Sequence, residues 1–138
     1  AEIKAKLANY RNVEIDTAPS GEAAMANSDI LISDISGIVF DYHFLMQRPV
    51  VIVNGELEYG GFEAEYVVDS IDKLFIHNKV GNMIGEKDFR DLPDILKRLN
   101  SSHSPSDVQK IREQYLYNFG KAGEVAGEQL LGILRDLK

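Results

Sequence analysis

Residues 29 to 53 constrain the fold more than any other stretch. They read Asp29-Ile-Leu-Ile-Ser33-Asp34-Ile35-Ser36-Gly37-Ile-Val-Phe40-Asp41-Tyr42-His-Phe-Leu-Met-Gln-Arg48-Pro49-Val-Val-Ile-Val53. Asp29 to Ser33 is nearly continuous Ile and Leu, the pattern of a strand buried on both faces. From Ser36 to Gln47 the apolar residues Ile38, Val39, Tyr42, Leu45 and Met46 recur at helical spacing. Arg48-Pro49 stops that helix, because proline restricts the residue before it and donates no backbone bond. Val50 to Val53 is an unbroken β-branched strand. Two apolar strands joined by a helix form the βαβ crossover, which belongs to parallel sheets. The sequence therefore predicts an α/β domain with a parallel sheet.

The turn inside this unit, Ser33-Asp34-Ile35-Ser36-Gly37, carries the chemistry. A helix N-terminus exposes unpaired amides and about half a positive charge. Serine hydroxyls donate to phosphate oxygens. Ser36 and Gly37 put little side chain in the way of a diphosphate. Open parallel sheets bind such ligands at this place. Asp34 would repel a phosphate, so its expected work is capping the helix or shaping the turn through a backbone amide. Asp41 lies one helical turn after Gly37 and is expected to anchor the turn. Ser, Asp and Gly also begin many helices that bind nothing. On the residues alone, the turn is either an anion site or a capped helix.

Composition narrows the partners. With 15 Lys and Arg against 22 Asp and Glu, the net charge is −7. No basic stripe is available to neutralise a phosphate backbone, so nucleic acid is not an expected partner. A small anion is still allowed, held by local amides. There is no cysteine, which excludes disulfides and thiolate metal sites and fits a cytoplasmic protein. No apolar run reaches the roughly 20 residues of a membrane span. The N-terminal segment, Glu2 to Leu7, is charged and helix-prone rather than signal-like. Lacking an initiator Met, the chain reads as a fragment or a processed chain. Its 138 residues suffice for one compact domain with its own core.

The remaining segments read more coarsely. Val13-Glu14-Ile15-Asp16 is a candidate strand, and a short helix is expected from Glu22 to Asn27 after Pro19 and Ser20. Asn54-Gly55 ends the strand at Val53. Residues 55 to 66 are acidic and glycine-rich, an expected loop with Gly60-Gly61 as its hinge. A short helix over 70–75, a strand over 80–84 and a helix over 88–99 follow. The serine-rich 101–106 reads as a linker. Ser106-Asp107 opens the closing helices, which run to Lys138 with a break near Gly120 or Gly123.

Other chemistry-bearing residues have plainer expected roles. His43, His77 and His103 share no metal-ligand spacing and read as surface or hydrogen-bonded histidines. No metal or other cofactor is expected. Arg48 is expected to pair with a helix C-terminus, and Lys121 to be solvated. Tyr59 and Phe62 are expected to pack at a core or rim. Glu56, Glu58, Glu63 and Glu65 lack regular cation-ligand spacing and read as a solvated loop.

Asp29-Ile-Leu-Ile-Ser33-Asp34-Ile-Ser36-Gly37-Ile-Val-Phe40-Asp41-Tyr42, followed by Arg48-Pro49-Val-Val, resembles the signature of the CDP-glycerol glycerophosphotransferase family, the teichoic acid polymerases and primases. That pattern runs A-D-x-L-I-T-D-Y-S-S-x-x-F-D-Y and then K-P-I/V. Ser33 stands at its Thr, Asp34 at its Asp, Ser36 at its first Ser, and Phe40-Asp41-Tyr42 at its F-D-Y. Phe119-Gly120-Lys121-Ala122-Gly123-Glu124 resembles the family's closing D-G-K-A-S-E. The likeness covers roughly residues 10 to 135. Two departures stand out: Ile35 replaces a Tyr, and Gly37 replaces the second Ser, removing one hydroxyl.

The resemblance implies a GT-B enzyme of two Rossmann-like halves, with residues 1–138 as the C-terminal, donor-binding half. It implies that Ser33, Ser36, Gly37 and neighbouring amides face the diphosphate of CDP-glycerol or another nucleotide-diphospho donor, with Asp34 and Asp41 supporting the turn. The family's catalytic histidine, in a His-Pro pair, would lie upstream, and the N-terminal half would be a missing partner. The parent enzyme would work at the inner face of the cell membrane. Two alternatives stay open. One is the donor half of a UDP-sugar transferase or epimerase, whose T-D-S-G-G-type turn Gly37 resembles. The other is a non-catalytic, flavodoxin-like interaction module.

Overall fold

The computed structural model describes residues 2–53 and 75–137. Its described elements run in the order α1 (Glu2–Leu7), α2 (Glu22–Asn27), β1 (Leu31–Ser33), α3 (Ile38–Asp41), a π-helical turn (Tyr42–Met46), β2 (Val50–Val53), α4 (Phe75–Val80), β3 (Asn82–Ile84), a 3-10 turn (Glu86–Asp91), α5 (Leu92–Ser102), α6 (Pro105–Tyr115) and α7 (Ala122–Asp136). The expected loop over 55–66, the strand end at Asn54-Gly55, the roles of Tyr59 and Phe62, and the glutamate cluster lie outside the described residues. So does most of the short helix expected over 70–75.

The three strands form a parallel sheet in the order β1-β2-β3. Leu31 pairs with Val50 and Ser33 with Ile52; Val51 pairs with Asn82 and Val53 with Ile84. Side chains alternate between the two faces of a strand, and β2 shows how this builds three layers. Val50 and Ile52 join Val39, Tyr42, Phe44, Val80 and Val108 in one core. Val51, one position out of phase, joins Ile84 and Ile95 in another. Helices α3, α4 and α6 therefore cover one face and α5 the other. Both faces of β2 are apolar because both are covered, which bears out the α/β, Rossmann-like reading.

Several details correct the sequence reading. β1 is not buried on both faces: Ile32 is 45% exposed, because its side of the sheet extends beyond the cover of α5. Val13 to Asp16 forms no strand. The Asp16 carboxylate accepts from the Ala18 amide at 2.7 Å, a local turn that competes with ladder pairing. The serine-rich linker shrinks to His103-Ser104, because α5 runs through Ser102 and α6 opens at Pro105. Proline at the first helical position loses no needed bond. The closing helices break where expected, with Asn118 and Gly120 at positive φ (53° and 76°).

The helix after the turn differs most. It is α-helical only to Asp41 and then widens into the π-helical turn. A wider turn shifts which residues face inward. Leu45, expected in the core, is 57% exposed, while His43 and Phe44 are buried. Gln47 then takes a left-handed conformation at φ 53°, which reverses the chain before Arg48-Pro49.

Candidate functional site

The turn of residues 33–37 leaves the C-terminal end of β1 and enters α3. Ser33 ends the strand, and its hydroxyl donates to the Asp34 carboxylate at 3.3 Å. The Ser36 carbonyl accepts from the Val39 amide at 3.2 Å, and the Gly37 carbonyl accepts from the Phe40 amide at 3.0 Å. Gly37 holds the N-cap position, and among the described residues no side-chain hydrogen bond caps α3. Asp34 is thus engaged with Ser33 rather than with the first amides of the helix. An ideal Cβ placed on Gly37 would meet nothing within 4 Å, so this turn opens to solvent. Ser33 and Ser36 are half-buried, while Asp34 and Asp41 are exposed. Asp41 therefore needs no buried partner for its carboxylate.

The base of the same βα unit is closed by contacts that the sequence reading missed. Tyr42 is fully buried. Its hydroxyl donates to the Ser28 carbonyl at 2.8 Å and accepts from the Ser28 hydroxyl at 3.2 Å. Arg48 donates from Nη1 to the same Ser28 carbonyl and to the Ala26 carbonyl at 3.0 Å. Arg48 does meet a helix C-terminus, that of α2 rather than of the helix it follows. There it satisfies carbonyls left unpaired at the helix end. Ser28 has no signature of its own, because the bonded group is a backbone carbonyl.

Two of the three histidines, His43 and His77, depart from expectation, while His103 is hydrogen-bonded as expected. His43 is 5% exposed, and among the described residues neither ring nitrogen has a hydrogen-bond partner; the same holds for His77 Nδ1. The π-helical turn carries the His43 ring inward. Burial first, and then the nearby His103, lower the His43 pKa to about 4 against a smaller upward pull from the Arg48 backbone, whose approach falls short of a full hydrogen bond, so the ring is neutral at physiological pH. A carbonyl can only accept, so His103 donates from Nε2 to the Gln47 carbonyl at 2.7 Å. These rings border a cleft of about 230 Å³ at the start of β2 and β3, with Pro49, Val50, Gly81 and Asn82. The cleft lies at the opposite end of the sheet from the 33–37 turn.

Lys121 is exposed immediately before α7, and the segment like the family's closing motif spans the end of the break after α6 and the first turn of α7. On α7, Leu130, Leu131, Ile133 and Leu134 are all more than half exposed, as is Leu137 just past its end. Among the described helices, none is long and apolar enough to cross a membrane.

Comparison with known proteins agrees with the motif. Neither a curated protein nor a solved structure matches the chain. The family described as CDP-Glycerol:Poly(glycerophosphate) glycerophosphotransferase matches residues 2–115. That span holds the sheet, the 33–37 turn and the Ser28–Tyr42–Arg48 contacts. This chain belongs to the CDP-glycerol:poly(glycerophosphate) glycerophosphotransferase family.

Proposed function

We propose that this chain is the donor-binding half of a GT-B glycerophosphotransferase, holding CDP-glycerol or a related nucleotide-diphospho-alditol at the 33–37 turn. The observation that carries the reading is the uncapped start of α3, flanked by the Ser33 and Ser36 hydroxyls at the C-terminal end of a parallel strand. Amides with no side-chain cap favour an anion there by about 0.3 to 2 kcal/mol from the helix dipole. In the transfer, an acceptor hydroxyl attacks the glycerol-bearing phosphorus. The bond from that phosphorus to the bridging oxygen breaks, and CMP leaves with the electron pair. Charge grows on the leaving phosphate, where the turn's amides and hydroxyls stabilise it. Asp34 orients Ser33 and is not itself a phosphate ligand. In this reading the catalytic histidine lies just upstream of the chain and the acceptor site belongs to the other half. The product is a polymer of the teichoic acid type, made at the cytoplasmic face of the membrane.

Titration of the chain with CDP-glycerol, CDP and UDP, followed by NMR, tests the proposal. The Ser33 to Gly37 amides shift with the cytidine nucleotides. If no nucleotide moves those amides at millimolar concentration, the chain is better read as an interaction module. Gly37 favours one second reading, a UDP-linked donor, because a glycine at this position suits the turn of UDP-sugar enzymes. Tighter binding of UDP than of CDP is its signature.

A further inference from the structure

We infer that Tyr42 and Arg48 are positioning residues for the 33–37 turn, acting through the Ser28 carbonyl that both hold. This inference rests on the donor-site reading and extends it to residues that touch no ligand. The Tyr42 to Ser28 bond joins positions 14 apart in sequence. Between those positions the chain runs up β1, around the 33–37 turn and back down α3. The bond closes this segment at its base, and the turn is its tip. Among the described residues β1 pairs with β2 alone, and Ile32, on the face it shares with Val51, is 45% exposed. The sheet alone therefore holds β1 weakly against sliding or tilting. The Ser28 carbonyl is the fixed point instead, with Tyr42 donating from the helix side and Arg48 from the approach to β2.

The arrangement also explains why the two ends of the motif occur together. Tyr42 closes the Phe40-Asp41-Tyr42 segment, and Arg48 precedes Pro49. They are six positions apart and face one acceptor, because the π-helical turn and the left-handed Gln47 bring Arg48 back under Tyr42. A rigid base transmits to the tip: hydroxyls and amides must meet a diphosphate within a few tenths of an ångström to bond it well.

The test compares the 138-residue chain with Tyr42→Phe, Arg48→Lys and, as a control, Ile95→Ala. The control destabilises the opposite core layer and leaves the base intact. In the ligand-free protein, Tyr42→Phe is expected to shift the Ser33 to Gly37 amide resonances more than those of α5, whereas Ile95→Ala does the reverse. By calorimetry, Tyr42→Phe weakens CDP binding about five-fold or more, and Ile95→Ala leaves it unchanged. If Tyr42→Phe fails to fold, Arg48→Lys carries both measurements, since lysine lacks the planar guanidinium whose single Nη1 donates to both the Ala26 and the Ser28 carbonyls. Turn resonances and CDP affinity that stay at wild-type values in a folded base variant overturn the inference. Failure of the wild-type chain to bind any nucleotide overturns the donor-site reading instead. The ligand-free shifts still report whether the base positions the turn.

Discussion

The imidazoles of His43 and His103 stand 6.4 Å apart between ring centroids, nearly edge to face, at the N-terminal end of β2. His103 is fixed by its bond to the Gln47 carbonyl, while His43 is buried without a partner among the described residues. Any charge on His103 opposes charge on His43.

Stability should therefore depend on pH through His43. Its pKa falls from 6.5 in the unfolded chain to about 4 in the folded one. Above pH 6.5 the ring is neutral in both states and the full stability is present. As pH falls from 6.5 to about 4, the unfolded chain takes up a proton that the folded chain refuses, and stability drops. The loss totals about 3 kcal/mol. Urea unfolding across that range should show the slope, and His43→Phe should flatten it relative to wild type. Equal slopes in the two proteins would rule His43 out as the source.

Gly81 should tolerate no side chain. A Cβ there would stand 2.6 Å from Ile52 Cδ1 and 2.7 Å from Ile52 Cγ1, and Ile52 is fully buried. Gly81→Ala should cost about 1–3 kcal/mol by overpacking. Combining it with Ile52→Val removes one of the clashing carbons, so the pair should be less destabilised than the sum of the singles. Thermal unfolding of the four proteins checks the coupling.

Gly37→Ser should behave in the opposite way. The site is open, and the backbone sits at φ −59°, which any residue adopts. The substitution restores the hydroxyl of the family pattern, and the helical backbone at position 37 leaves the first amides of α3 free of a side-chain cap. Stability should hold or rise by about 0.5 kcal/mol, and CDP should bind more tightly. Calorimetry that finds weaker binding would remove this turn from the diphosphate site.

Ile95→Ala and Ile133→Ala should separate two helices that look alike in sequence. Ile95 is 8% exposed and Ile133 55% exposed. The first truncation should cost about 2–5 kcal/mol, the second within about 0.5 kcal/mol. Comparable losses, read from denaturation midpoints, would mean that α7 packs its apolar face in solution.

The fold was legible where local chemistry and tertiary context agree. Val50 to Val53 reads as a strand because four β-branched residues suit a pleated, doubly covered surface, and the strand has those bounds. α2 likewise runs from Glu22 to Asn27 as read. The π-helical turn was hidden, since Leu45 fits an α-helical face better than His43 does; only the wider turn reverses their burial. The open face of β1 was hidden as well, because Ile32 looks like its neighbours and its exposure depends on how far α5 reaches. At the site, the turn's place after β1 followed from the βαβ pattern, and the family from the motif around it. Of the base of the unit only the pairing of Arg48 with a helix end was legible; which helix, and the acceptor shared with Tyr42, were not, because that acceptor is a backbone carbonyl that any residue at position 28 would supply.

The two glycines bear on how this sequence can drift. Every replacement of Gly81 adds at least a Cβ, and that atom already collides with Ile52. Selection should hold position 81 fixed for as long as β2 and β3 stay packed. At Gly37 nothing stands in the way, so single-base changes can explore side chains at the mouth of the turn without endangering the fold. If the turn holds the donor as proposed, donor preference can evolve at position 37 while the scaffold beneath stays unchanged.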